Sequence, residues 1–168
     1  MNPKIVRVYI ALGSNLGDSR QNIERAFDQL AELSSEQISR SSLWKSTPVD
    51  CPPGSPEFIN AAAALTPVED ATPESILKQL QNLEKEFGRT LKKVLNEARP
   101  LDLDLIAFGD EVRHSPELVI PHPRAHLRKF VLAPLAEIAP DLILPGQKKS
   151  VRELRDALRT DEVVAKLP

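Results

Sequence analysis

Asp102-Leu103-Asp104 lies within the run Leu101–Phe108, LDLDLIAF. On an extended chain the side chains alternate. Leu101, Leu103 and Leu105 therefore share one face, and Asp102 and Asp104 share the other, roughly 7 Å apart. Two carboxylates so close repel each other unless a cation sits between them or water reaches them. Mg²⁺ suits such a pair, because it takes one or two protein carboxylates and completes its shell with water and phosphate oxygens. An isolated D-x-D strand is more often a solvated outer face, but the preceding segment shifts the weight. Arg89, Lys92, Lys93 and Arg99 fall within eleven residues, opposed only by Glu97. Arginine presents a rigid fork of donors that matches phosphate oxygens. Carboxylates that hold a metal, beside a cluster that neutralises a transferred group, are what triphosphate chemistry needs. Lys92 and Lys93 read equally well as solvated loop residues.

Three other segments carry polar chemistry. Pro121-His122-Pro123-Arg124-Ala125-His126-Leu127-Arg128-Lys129-Phe130 puts two histidines four residues apart. The prolines and the lack of a third soft ligand argue against zinc and for a loop that contacts phosphate or base. Thr47-Pro48, with Phe58 and Asn60, offers an aromatic face and an amide that both donates and accepts, which suits a flat polar heterocycle. Gly13-Ser14-Asn15-Leu16-Gly17 lacks both the G-x-x-x-x-G-K-S/T and the G-x-G-x-x-G pattern, so it reads as a tight turn and not as a phosphate cradle.

These residues need strands and helices to hold them. Lys4–Leu12 is apolar and β-branched and predicts a buried strand, followed by a helix capped at Asp18 or Ser19 with Ile23, Phe27, Leu30 and Leu33 at helical spacing. Ile38–Lys45 predicts a second strand. Residues 47–56 carry four prolines and a glycine and predict a loop of restricted shape. Glu57–Leu65 is ambiguous between alanine-favoured helix and strand, and reads as strand because a helix is announced just after it. That helix begins at Thr72-Pro73, carries an apolar stripe of Ile76, Leu77, Leu80, Leu83 and Phe87, and stops at Gly88. The D-x-D strand, a turn at Gly109-Asp110, a short strand at Leu118–Ile120, and helices at Phe130–Ile138 and Val151–Leu158 complete the order. A βαββαβ order with helices on one side of a mainly antiparallel sheet predicts a ferredoxin-like α+β sandwich.

The 168 residues are one domain's worth of chain, and 1–168 reads as a single domain. A net charge of −2 and 4% aromatics argue against nucleic acid and anionic membranes as partners. No window approaches the ~18 apolar residues of a membrane span. The N-terminus does not read as a signal peptide. The single Cys51 excludes an internal disulfide and has no evident base in sequence. The expectation is a cytoplasmic monomer that acts on small molecules.

Taken together, the motifs resemble one family. Tyr9–Gly17 (YIALGSNLG) resembles the opening strand and turn of the 6-hydroxymethyl-7,8-dihydropterin pyrophosphokinases of folate synthesis. Thr47-Pro48 with Phe58-Ile59-Asn60-Ala61-Ala62 resembles their pterin segment. Glu84-x-x-x-Gly88-Arg89 and Arg99-Pro100-Leu101-Asp102-Leu103-Asp104-Leu105 resemble their ATP and magnesium segment. Ile120-Pro121-His122-Pro123, Arg128-x-Phe130 and Pro134–Pro140 resemble their C-terminal signature. The resemblance implies a ferredoxin-like fold and pyrophosphate transfer from ATP to the hydroxymethyl group of the pterin. It also implies that Asp102 and Asp104 bind two Mg²⁺ ions and that Arg89 and Arg99 clamp the triphosphate. Gln81, Glu84, His122 and Arg128 would contact ATP, and Thr47, Pro48, Phe58, Asn60 and Phe130 the pterin. An aromatic that many members carry before the D-x-D strand is Asn96 here, and a second loop arginine of some members is Leu91. Two rivals remain: a catalytically silent module of this fold that senses a nucleotide, and an RNA-binding α+β module, which the acidic balance opposes.

Overall fold

The computed structural model describes residues 6–47, 53–54, 56–88 and 98–168. In chain order these form β1 (Val8–Ser14), α1 (Ser19–Ala31), β2 (Ser39–Arg40), β3 (Trp44–Ser46), β4 (Phe58–Leu65), α2 (Pro73–Glu86), β5 (Asp102–Phe108), β6 (Arg113–His114), β7 (Val119–Ile120), a single 3-10 turn (Ala125–Leu127), α3 (Lys129–Ile138), α4 (Val151–Ala157) and β8 (Val164–Lys166). The main sheet runs β5-β1-β4-β3-β8, with β2 also on β4, and β6 pairs with β7 apart from it. Every pairing is antiparallel. With β1 and β4 central, this is a ferredoxin-like sheet with a strand added beyond β3.

Local signals set the helix boundaries. Asp18 Oδ1 accepts the Gln21 N–H and caps α1. Thr72 and Ser75 form a reciprocal capping box at the start of α2, and Pro73 occupies the first turn. Gly88, at φ +95°, ends it in a conformation that suits glycine. Ile23, Phe27 and Leu30 of α1 and Ile76 and Leu80 of α2 are almost wholly buried against Val8, Ile10, Leu12 and Leu103 on one sheet face. Each such side chain contributes about 1.5–3 kcal/mol by leaving water.

The other face is covered as well, which corrects the one-sided arrangement expected from the sequence. Val131, Leu132, Leu135 and Ala136 of α3 and Val151 of α4 pack on Ala11, Ala62 and Ile106. Two-sided burial explains Ala61–Ala64: a central strand between two helical layers has room for small side chains on both faces. Alanine here serves packing and overrides its helix propensity.

The expected strand at Ile38–Lys45 is split. Ser41 donates its N–H to Ala62 O, while its Oγ accepts the Ala62 N–H. Arg40 pairs with Ala63 and Trp44 with Asn60, so four residue steps on one side match three on the other, and the extra residue is a bulge. Strand β8 had no alternating pattern to announce it. No helix among the described residues is long and apolar enough to cross a membrane.

Candidate active site

The sheet register places four of the predicted residues, Asp102, Asp104, Phe58 and Asn60, on one sheet face. Gly13 lies opposite Asp102 on one side and Asn60 on the other, and Ala11 likewise lies between Asp104 and Ala62. Asp102, Gly13 and Asn60 thus form one row across β5, β1 and β4, on the face shared with Phe58 and Asp104. At about 4.8 Å between strands, the Asp102 and Asn60 backbones are roughly 10 Å apart. Glycine leaves the middle of that row without a side chain. A Cβ at Gly13 would lie 3.6 Å from Asn60 Oδ1 and 3.7 Å from the Phe58 ring, so a methyl fits there and a longer side chain would fill the row.

The polar ends of this row are fixed. Asn60 is buried and donates from Nδ2 to Ser46 Oγ at 2.6 Å, which leaves Oδ1 directed toward Gly13. Thr47 follows β3 directly; its N–H donates to Val163 O, and its Oγ1 accepts the Val163 N–H. Arg99 Nη1 donates to Asp102 Oδ1 at 3.1 Å, with both side chains mostly buried. Arg99 Nε is buried and has no hydrogen-bond partner among the described residues. A buried guanidinium N–H left unmatched is costly, so the site is short of an acceptor at this position.

Two residues that the motifs did not single out hold the row, one at each end. Asn15 is buried; its N–H donates to Arg99 O at 3.1 Å, and its Oδ1 accepts the Arg99 N–H at 2.9 Å. Its Nδ2 reaches Pro56 O at 3.5 Å. The turn after β1 therefore anchors the arginine across 84 positions of sequence. The only sequence signal was the turn composition. Ser46 is the second, since it fixes the Asn60 amide.

Glu84 is buried, and its Oε2 accepts the Leu103 N–H at 2.9 Å, between the two aspartates. Strand β5 is the outer strand, and this carboxylate from α2 satisfies an amide on its free edge. Gln81 is exposed three residues earlier. It lines a cavity of about 420 Å³ between α2 and the β6–β7 hairpin, with Leu77, Lys78, Lys85, Ser115 and Leu118.

The His-Pro segment docks on the same edge. The His122 N–H donates to Ile106 O at 2.8 Å. The ring Nδ1 accepts the Arg124 N–H at 3.2 Å, so in the neutral imidazole the proton sits on Nε2. Burial lowers the His122 pKa to about 4, helped by the charge of Arg128 and then of Arg124, with Asp102 opposing. The Arg128 guanidinium stands over the Phe130 ring, 5.6 Å from its centre. Phe130 lies half-buried in the first turn of α3. Arg89 and Pro48, with Lys92, Lys93, Cys51, Leu91 and Asn96, lie outside the described residues.

Among the described residues no three His, Cys, Asp or Glu side chains converge in a metal-binding group. Two strand carboxylates beside an arginine with an unmatched donor fit a cation that draws its other ligands from a bound polyphosphate.

Comparisons with known proteins identify the family and the fold. The family model for 7,8-dihydro-6-hydroxymethylpterin-pyrophosphokinase (HPPK) matches residues 9–140. The chain is 41% identical over 142 residues to the 2-amino-4-hydroxy-6-hydroxymethyldihydropteridine pyrophosphokinase of Pseudomonas aeruginosa, covering 84% of this chain and 85% of that one. It is 37% identical over 145 residues to the Haemophilus influenzae protein of the same name, covering 86% and 88%. The fold is also that of the wild-type HPPK-DHPS of Plasmodium falciparum crystallised with SDX-DHP, at a TM-score of 0.71 and 14% identity. That likeness covers 91% of this chain and 44% of the longer one, so this chain spans less than half of it. With motifs, sheet order and relatives in agreement, the chain belongs to the 7,8-dihydro-6-hydroxymethylpterin-pyrophosphokinase family.

Proposed function

We propose that this chain carries out its family's reaction, pyrophosphate transfer from ATP to 6-hydroxymethyl-7,8-dihydropterin in folate biosynthesis, along the row Asp102-Gly13-Asn60. The observation that supports the assignment of residues is this row, in which Asp102 and Asn60 flank a glycine, with Asp104 and Phe58 on the same face. The hydroxymethyl oxygen bonds to the β-phosphorus of ATP as the β-phosphorus–oxygen bond to AMP breaks. AMP departs, and the hydroxyl proton is released.

Asn60 Oδ1 accepts from a pterin N–H, and Phe58 and Phe130 hold the flat ring by its faces, with Thr47 and Pro48 at its edge. Arg99 donates from its unmatched Nε to a phosphate oxygen, and Arg89 and Arg128 add positive charge along the chain of phosphates. His122, neutral with its proton on Nε2, donates without needing to be charged. Gln81 contacts the nucleotide, and the cavity it lines receives the base. Glu84 supports ATP binding by holding Leu103, and with it the aspartates, in line. Asp102 and Asp104 would hold two Mg²⁺ ions, which supply positive charge against the phosphate oxygens. Alignment and charge neutralisation account for the rate, with no side chain needed as a general base. A cytoplasmic monomer acting on small molecules is part of the same proposal, supported by the net charge of −2 and the single cysteine.

The test is product formation. With ATP, Mg²⁺ and 6-hydroxymethyl-7,8-dihydropterin, AMP and the pterin diphosphate should appear in equal amounts. Asp102→Ala and Asp104→Ala should each abolish both. A folded wild type that makes no AMP, or two alanine variants that turn over like wild type, would refute the reading.

A further inference from the structure

The last described segment joins the two walls of the pterin pocket. Helix α3 begins at Lys129, and Arg128 at its N-cap contributes no side-chain cap. The first amides of a helix lack intrahelical partners and attract negative charge. Here the partner comes from far along the chain. Glu162 Oε2 accepts the Phe130 N–H at 2.8 Å, and Oε1 accepts the Lys129 N–H at 3.3 Å. The next residue, Val163, exchanges two hydrogen bonds with Thr47: Thr47 N–H to Val163 O at 3.2 Å, and Val163 N–H to Thr47 Oγ1 at 3.3 Å. Strand β8 then runs along β3, with Val164 opposite Ser46, the residue that fixes Asn60. The Glu162 N–H donates to Thr160 Oγ1 at 3.2 Å, which closes a tight turn ahead of the clamp. Thr160, Glu162, Val163 and β8 lie beyond residues 9–140, where the family model matches.

We propose that Glu162 is a positioning residue for pterin binding: its carboxylate sets the first turn of α3, and so the Phe130 ring, against Thr47, which Val163 holds. The proposal rests on the reading of Thr47 and Phe130 as pterin contacts. Glu162 itself touches no substrate. Its effect is to fix the spacing between an aromatic wall carried by a helix and a strand end that lies more than eighty residues earlier in the chain.

Steady-state kinetics of the full chain test this. Hydrogen bonds to a charged acceptor are among the strong ones. Glu162→Ala should raise the KM for the pterin about tenfold, while the KM for ATP and kcat stay within about twofold. Glu162→Gln keeps one acceptor oxygen but turns an amide NH₂ toward the helix amides. It should raise the pterin KM about threefold and provides the measurement if the alanine variant folds poorly. A purely structural role for Glu162 would reduce the folded fraction, lowering kcat and leaving both KM values at wild-type levels, and that result overturns the proposal. Equal rises in both KM values also overturn it, because the clamp would then serve the helix as a whole. A wild type that releases no AMP refutes the functional assignment. A normal wild type with unchanged variants refutes only the role of Glu162.

Discussion

His122 carries the sharpest pH prediction. Its pKa is lowered from 6.5 to about 4, first by burial, then by Arg128, against the opposing charge of Asp102 and with a further push from Arg124. In the unfolded chain the imidazole takes a proton as the pH falls through 6.5, whereas the folded protein waits until about 4. Between those values the unfolded state binds more protons. Stability from the neutral ring is therefore full above pH 6.5 and is lost as the pH falls toward 4. Linkage between those two values gives a loss of about 1.8 kcal/mol between pH 7 and pH 5. The side chain is only partly buried, and solvent screening brings this to about 1 kcal/mol.

The control for other titrating groups is His122→Asn, whose Oδ1 can take over from Nδ1 as acceptor for the Arg124 N–H. Urea unfolding of both proteins, in EDTA and without nucleotide, should show the wild type losing about 1 kcal/mol more than the variant from pH 7 to pH 5. Parallel losses, within about 0.3 kcal/mol, would refute the account of a ring kept neutral by its surroundings. The ring's own NMR titration is an independent check and should have its midpoint well below 6.5. A phosphate oxygen against Nε2 would oppose the burial, so saturating ATP should move that midpoint upward.

Other perturbations separate the parts of the site. Asn15→Ala leaves the Arg99 N–H without its acceptor and should cost about 1–3 kcal/mol in urea unfolding. It should also lower kcat, because Arg99 is no longer held. Glu84→Ala strips the acceptor from the Leu103 N–H on the free edge of β5 and should cost a similar 1–3 kcal/mol, while Glu84→Gln, which retains an acceptor oxygen, should recover most of it. Gly13→Ala should bind the pterin nearly as wild type does, since its methyl would make ordinary contacts at 3.6 and 3.7 Å. Gly13→Leu should fold and yet lose pterin affinity by tenfold or more in calorimetry, because its side chain fills the row between Asp102 and Asn60. Equal affinities for the two Gly13 variants would show that the pterin does not lie over this glycine.

What the sequence made legible follows from the range of the interactions. Alternation in LDLDLIAF, the Thr72-Pro73 start and the Gly88 stop are local, and each element appears where its residues predict it. The same holds for the aspartates, because two residues of spacing on a strand guarantee a shared face whatever the strand pairs with. The two-sided sheet was not legible in this way. Alanine in a run is compatible with a helix or with a strand buried on both faces, and only the arrival of α3 on the second face decides between them. The split at Ser41 depends on a serine hydroxyl replacing a backbone acceptor, a choice that composition does not reveal. Asn15 and Glu162 extend the point to function. Each holds a residue that the motifs do name, Arg99 in one case and Phe130 in the other, through hydrogen bonds spanning 84 and 32 positions. Motifs record the groups proposed to meet the substrate, because their chemical type is constrained. The groups that aim them need only present an oxygen at the right place, which many residue types on many segments could do, so their positions emerge only once the chain is folded.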